Sequence, residues 1–374
     1  MSANPFPMAH AAGENWHEAA NACIDALAAH APLPHGPGFI YVSDAIANDL
    51  PLVLDLFRER SGVETWVGCV GIGICATGQE YFDQPAIAAM VCDLPPDAWR
   101  LFAGLESDLT DFNRDHGPWV DETGSHVAIV HGDPRHPDAA TLVEDLATRL
   151  DGFLVGGFAS SRNEVSQIAG ELCDGGLSGL LLADDVPVIS GLTQSCLLIG
   201  DAHVITASEE NVLIELDGRP ALEVFREDIG ELLAHDLRRV GGSIFAALPV
   251  RGSDTGDYLV RNIIGLDEPN DLIAIGEQVE EGQVIQFCRR DPVAAAEDLA
   301  NMVNRLRERA AGKARGAVYF SCLARGPNMF GPNSRELEIV QEALGPVPLV
   351  GFFCNGEISH DRLYGYTGVL TLFV

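Results

Sequence analysis

Ser160, Ser161 and Arg162 place two hydroxyls and a guanidinium in consecutive positions after the run Gly156-Gly157-Phe158-Ala159. An arginine fork fits a planar carboxylate through two parallel hydrogen bonds. Near the C-terminus Asn355-Gly356-Glu357 follows an equivalent run, and Glu357 supplies a carboxylate that would hold an ammonium group. Together these groups match an amino-acid zwitterion; ordinary loop hydrogen bonding is the competing reading. Cys322 and Arg325 close a further apolar run. A neighbouring cation favours thiolate, whereas burial makes a strand cysteine an inert small hydrophobe. No His/Asn arrangement singles Cys322 out, so no catalytic residue is assigned. His126, His131, Asp133 and His136 offer imidazoles of the kind that ligate metal or haem. They flank a Gly-Asp-Pro turn with no partner spacing elsewhere, which reads as a solvated strand-to-helix loop, and no metal ligand is assigned. The absence of C-x-x-C-H excludes covalent c-type haem.

The elements that must position these residues repeat. Phe39 to Pro95, His126 to Asp184 and Ala317 to Val374 each run strand, helix, strand, with Val-Gly in the second strand (Val67-Gly68, Val155-Gly156, Val350-Gly351). Repetition at this scale implies one structural unit reused. Gly68, Gly73, Gly156, Gly157, Gly351 and Gly356 either let backbone amides face a ligand or allow tight packing. Gly71, Gly73 and Gly78 do not have the dinucleotide-fingerprint spacing.

Composition narrows the chemistry. With 374 residues, two domains are expected. A net charge of −32, from 55 acidic and 23 basic residues, repels phosphate backbones and argues against nucleic-acid partners. Lys313 is the sole lysine, which leaves almost no candidate for Schiff-base or P-loop chemistry. Nine cysteines without a C-x-x-C pair fit reduced thiols in a cytoplasm. No apolar run reaches the length of a membrane span, and Met1 to Gly13 reads as a disordered tail without signal-peptide features. Residues 289–335 carry nine basic and four acidic side chains. Arg305, Arg307 and Arg309 there complement a helix C-terminus, which leaves Arg325 as the site candidate.

Periodicity predicts helices over Asn15–His30, Pro51–Arg60, Ala139–Leu150, Pro220–Arg239 and Pro292–Arg309. Gln167–Cys173 and Leu177–Leu182 are expected to pair as a hairpin around Gly175-Gly176, and Pro187 confines Val186–Ile189 to a sheet edge. The expected class is α+β: mixed, largely antiparallel sheets flanked by helices, in two domains built from repeated β-α-β-β units. Residues 1–37 form a tail and helix, 38–240 the first domain and 241–374 the second, with the boundary at Gly241-Gly242.

Ser321-Cys322-Leu323-Ala324-Arg325-Gly326 and Pro348 through Ile358 resemble the C-terminal FIST domain. Gly156 through Ser161, and Ile205-Thr206 with Leu216 through Ala221, resemble the N-terminal FIST domain. FIST names a sensory module of bacterial signalling proteins and some eukaryotic F-box proteins, and the likeness covers roughly Phe39 to Leu372. The resemblance implies a cytoplasmic sensor of a small ligand, amino acids being the class proposed for the family, that reports to a separate signalling output protein. The ligand-site candidates are Gly156, Gly157, Ser160, Ser161, Arg162, Cys322, Arg325, Asn355, Gly356 and Glu357. No resident cofactor is expected. A haem-binding nitric oxide sensor is the first alternative, because some members bind haem, and a cysteine-dependent enzyme using Cys322 is the second.

Overall fold

The computed structural model describes residues 5–230, 237, 240–250 and 256–374. They fall into two compact units, one formed by residues up to Gln194 together with Ala296–Val374, the other by Ser195–Ala295. The first unit uses one pattern three times. Repeat 1 runs β1 (Met8–Ala12), α1 (Trp16–Ala28), β2 (Gly38–Ser43), α2 (Leu50–Ser61), β3 (Trp66–Gly71), β4 (Gly73–Ala76), β5 (Gln79–Phe82) and β6 (Ala86–Val91). Repeat 2 runs β7 (Trp99–Leu105), α3 (Thr110–Asp115), α4 (Gly117–Thr123), β8 (Val127–Gly132), α5 (Ala139–Leu150), β9 (Phe153–Phe158), β10 (Gln167–Ala169), β11 (Glu171–Cys173) and β12 (Leu177–Leu182). Repeat 3 opens with β13 (Val188–Gln194).

The chain then enters the second unit with β14 (Cys196–Glu209), β15 (Val212–Leu216), β16 (Arg219–Pro220), α6 (Ala221–Ile229), β17 (Ile244–Pro249), β18 (Tyr258–Asp267), β19 (Leu272–Ile275) and β20 (Val284–Arg290). Repeat 3 resumes through α7 (Pro292–Ala310), β21 (Gly316–Cys322), α8 (Pro327–Phe330), α9 (Arg335–Leu344), β22 (Leu349–Cys354), β23 (Glu357–His360), β24 (Arg362–Tyr364) and β25 (Thr367–Phe373).

The three repeats exchange their hairpins. The sheet orders are β1-β6-β2-β3-β10-β11, β7-β12-β8-β9-β23-β24 and β13-β25-β21-β22-β4-β5. In each, two inner strands of one repeat pair in parallel (β2 with β3, β8 with β9, β21 with β22), and the next strand out comes from another repeat. The hairpin of repeat 1 joins repeat 3, that of repeat 3 joins repeat 2, and that of repeat 2 joins repeat 1. The sheets are therefore mixed but largely antiparallel, as an α+β chain of this pattern requires.

The Val-Gly glycines explain the repeat physically. A Cβ built on Gly68 would lie 1.8 Å from the Ile40 carbonyl oxygen, one on Gly156 1.8 Å from that of Val130, and one on Gly351 1.8 Å from that of Tyr319. In each parallel pair the second strand presses its glycine onto the backbone of the first, so no side chain fits. This register makes Tyr41, His131 and Phe320 equivalent, and their rings meet where the sheets converge, with centroids 5.6 to 6.3 Å apart. The Tyr41 hydroxyl and His131 Nε2 are 3.1 Å apart and fully buried there.

The second unit is a strand barrel. Its order is β14-β20-β17-β18-β19-β15-β16, and an additional β14–β15 pairing closes the ring. Helix α6 packs Leu222 and Phe225 into the interior, where Phe225 meets Phe287 at 4.7 Å. Gly241-Gly242 lies within this unit.

Some expectations are corrected. Gln167–Cys173 does not pair with Leu177–Leu182. Gly170, with φ of +78°, folds it into its own β10–β11 hairpin, which joins β3, while β12 pairs with β7 and β8. The tail reading of Met1–Gly13 fails for its latter part: Phe6 is buried and β1 pairs along β6, Met8 facing Met90. The predicted continuation of the Pro220 helix to Arg239 falls largely outside the described residues. Helix α1 forms as expected, with the Asn15 side chain accepting from the Glu18 amide at 3.0 Å, a standard N-terminal cap.

Candidate functional site

Hairpin exchange brings the candidates of repeats 2 and 3 together. Glu357 faces Gly157 and Ile358 faces Gly156 across the β23–β9 ladder. The Gly356 carbonyl accepts from the Phe158 amide, and the Asn355 amide donates to the Phe158 carbonyl, both at 2.9 Å. Gly157 leaves room for Cys354, whose sulfur would overlap a Cβ at that position. Gly356, at φ of +119°, lies against Leu363. The buried Ser160 hydroxyl accepts from the Ile72 amide at 2.9 Å and donates to the Phe353 carbonyl at 2.6 Å, tying all three repeats at one point. Asn355 is exposed.

Ser161 and Arg162 turn elsewhere. The Ser161 hydroxyl accepts from the Asn163 amide. Arg162 clamps the buried Asp44 carboxylate at the end of β2 through Nε and an Nη, both at 2.8 Å, and also reaches Asp83 at 2.6 Å. Its fork is therefore filled by the chain's own carboxylates, and it does not join Glu357 in a zwitterion clamp. Sequence reading missed Asp44, whose role rests on partners 118 positions away.

Arg325 is fully buried, and its guanidinium is committed to structure. Nε donates to Glu336 Oε1 at 2.8 Å, and an Nη reaches the Tyr319 hydroxyl at 3.3 Å. The same Glu336 oxygen accepts from the Tyr319 and Ser321 hydroxyls, and Oε2 accepts from the Gly326 amide. Glu80, carried in on the exchanged β4–β5 hairpin, accepts from the Glu336 and Leu337 amides at the start of α9. Burial, then the nearby Glu336 charge, pushes the Glu80 carboxyl up to about 8. Glu80 and Glu336 carried no signal in sequence, because nothing local marks a carboxylate as buried.

Glu357 stands out against its own symmetry mates. The register places Ile74, Gln167 and Glu357 in equivalent positions, opposite Phe352, Cys69 and Gly157. Ile74 is apolar. Gln167 is saturated, its amide nitrogen donating to the Gly175 and Gly176 carbonyls and its oxygen accepting from Ser178 at 2.6 Å. Glu357 is fully buried; Oε2 accepts from the amide and hydroxyl of Thr367, at 3.1 and 2.8 Å, while Oε1 has no hydrogen-bond partner among the described residues. Burial pushes its carboxyl up to about 8, against the Thr367 hydrogen bonds, the Arg325 charge and the Cys322 thiol, which pull it down. An unpaired buried polar atom calls for an explanation, and a ligand atom is one.

Cys322 is half-buried beside this carboxyl. Burial and then the Glu357 charge push its thiol up, with Arg325 opposing weakly, the reverse of an activated nucleophile. The histidine group does not converge: His131 lies buried beside Tyr41, His126 pairs with Asp184, and His136 accepts from the Asp138 amide. Among the described residues no cluster of three or more His, Cys, Asp or Glu is arranged to hold a metal ion, and no helix is long and apolar enough to cross a membrane.

The raised carboxyls of Glu80 and Glu357 have a consequence with a definite sign. Each binds its proton more tightly in the folded than in the unfolded chain. Their contribution to stability is complete below the unfolded value of 4.5 and is lost as pH rises toward about 8. Urea unfolding midpoints of the wild type are expected to fall across that window, and those of Glu357→Gln to fall less. Parallel pH profiles for the two proteins would contradict the Glu357 assignment.

Known proteins resemble this chain over most of its length. Residues 38–219 match the FIST N domain and residues 221–360 the FIST C domain. An uncharacterised protein of Mycobacterium tuberculosis is 33% identical over 332 residues, covering 82% of this chain and 83% of its own length. An uncharacterised protein of Mycobacterium bovis is 32% identical over 380 residues, covering 96% and 94%. FIST domains are signal-transduction sensory modules. With tandem N and C domains over most of its length, the chain belongs to the FIST family.

Proposed function

We propose that this protein is a cytoplasmic input module that binds a small polar metabolite, an amino acid in class, where the repeat 3 hairpin joins β9. The observation that carries this reading is the unpartnered Oε1 of Glu357, buried in a fold whose other two equivalent positions are apolar or saturated. A ligand ammonium placed there would supply the missing partner and stabilise the ionised carboxylate. Exposed Asn355, two residues before Glu357, and half-buried Cys322, beside its carboxyl, are the neighbouring polar candidates. Neither Arg162 nor Arg325 binds the ligand carboxylate in this reading, since both serve carboxylates of the chain. Binding shifts the population of conformers, and a separate output protein reads that shift.

Isothermal titration against the twenty amino acids tests this directly. At least one is expected to bind the wild type, with affinity reduced by about tenfold or more in Glu357→Gln, the loss expected for one charged hydrogen bond. Silence across the panel would remove the reading. A Soret band on addition of haemin, abolished by a single histidine substitution, would replace it with haem sensing.

A further inference from the structure

A cleft lies in repeat 2, at the place where its covering helix is broken. In repeat 1 the helix between the edge strand and the first inner strand is continuous, α1, and in repeat 3 it is the long α7. In repeat 2 it is split into α3 and α4 at His116-Gly117-Pro118, and Pro118 cannot continue the α3 hydrogen-bond ladder. A cleft of about 890 Å³ opens there, lined by Asp97, Trp99, Arg100, His116, Trp119 and Glu122, among others. That volume suits a small organic ligand.

Three groups in the cleft are left over by the fold. Among the described residues the Trp99 indole N–H is buried without an acceptor, and His116 Nδ1 is buried without a partner. Burial holds the His116 imidazole below its ordinary value, and the Arg100 charge adds to this against Asp115, so the ring stays neutral. Arg100 is exposed and forms no ion pair within the described residues, although the chain carries 55 acidic residues. Its guanidinium lies over the Trp119 ring at 5.6 Å, which holds the fork in place and leaves its N–H groups free. Trp119 is anchored in turn by a hydrogen bond from its indole to the Asp97 carbonyl.

We propose that this cleft binds a small organic monocarboxylate with a flat apolar body. The carboxylate sits on the Arg100 fork and the body lies along the Trp99 indole. Asp97, Glu122, Asp184 and Asp185 share the cleft and repel a second negative charge more than a first, so a monocarboxylate is favoured over the dianion of inorganic phosphate. A simple cation would be drawn to these carboxylates but would leave the Arg100 fork unused, so the comparison of benzoate with benzylamine decides between them.

Benzoate is the probe, with benzylamine and inorganic phosphate as comparators, and tryptophan fluorescence of the full chain is the readout. Two of the four tryptophans line the cleft, so occupancy alters the signal. Benzoate is expected to quench saturably. Affinity should weaken by about tenfold or more in Arg100→Gln, an exposed position whose change does not endanger folding, as a lost bidentate pair requires. Glu357→Gln should bind benzoate like the wild type, which separates this site from the one above. Non-saturable quenching, equal affinity in Arg100→Gln, or preference for benzylamine or phosphate would each overturn the proposal.

Discussion

Arg325→Ala is expected to destabilise the first unit by about 3–5 kcal/mol, the cost of leaving a buried charge without its partner. Glu336 would then face the interior with only hydroxyl and amide donors, in a network that is fully buried on both sides. Chemical denaturation measures the loss. The double variant Arg325→Met/Glu336→Leu, which removes both charges and keeps most of the volume, is expected to recover most of it. Unchanged stability in Arg325→Ala would mean that the guanidinium serves something other than the fold. For the same reason Arg325→Ala is a poor probe of ligand binding: its effect would be read through unfolding.

Gly351→Ala is expected to cost about 3 kcal/mol or more, at the upper end of overpacking penalties, because backbone rather than a movable side chain opposes the new methyl. The nearest atom is the Tyr319 carbonyl oxygen, and the same geometry recurs at Gly68 and Gly156. The three alanine variants should therefore lose similar stability. Gly241→Ala, where no atom of the described residues lies within 4 Å, should stay within about 0.5 kcal/mol of the wild type. Denaturation midpoints that rank Gly351→Ala with Gly241→Ala would contradict the threefold register.

These glycines are also why so much of the fold was legible in sequence. A residue pressed onto a neighbouring carbonyl must lack a side chain, so the constraint is written at the position itself, once per repeat. The strands and helices around it were visible for a similar reason, as α5 shows with Leu142, Val143, Leu146 and Leu150 along its buried face. Hairpin exchange was not legible. Gln167–Ala169 and Gly73–Ala76 are too short to carry a pattern, and their partners lie about a hundred or more positions away in the chain. The N-terminal strand was missed because Met8–Ala12 gains its structure from β6, not from its own composition.

The spatial grouping of the candidate residues was half legible. Glu357, Asn355 and Ser160 were marked by following the repeated strand ends, and the structure gathers them. Arg162 and Arg325 were chosen for the chemistry of the guanidinium, but their partners Asp44 and Glu336 are known only once the chain is folded. A surplus of carboxylates makes such capture of arginines the usual outcome here.

The central claim, that Glu357 holds a ligand cation, is tested most directly by infrared difference spectroscopy of the carboxyl stretch. With its carboxyl raised to about 8, Glu357 is largely protonated at neutral pH and should contribute a C=O band that Glu357→Gln lacks. Saturation with the amino acid identified by titration is expected to convert that band to a carboxylate signal. A C=O band that persists unchanged at saturation would place the ligand elsewhere and contradict the account.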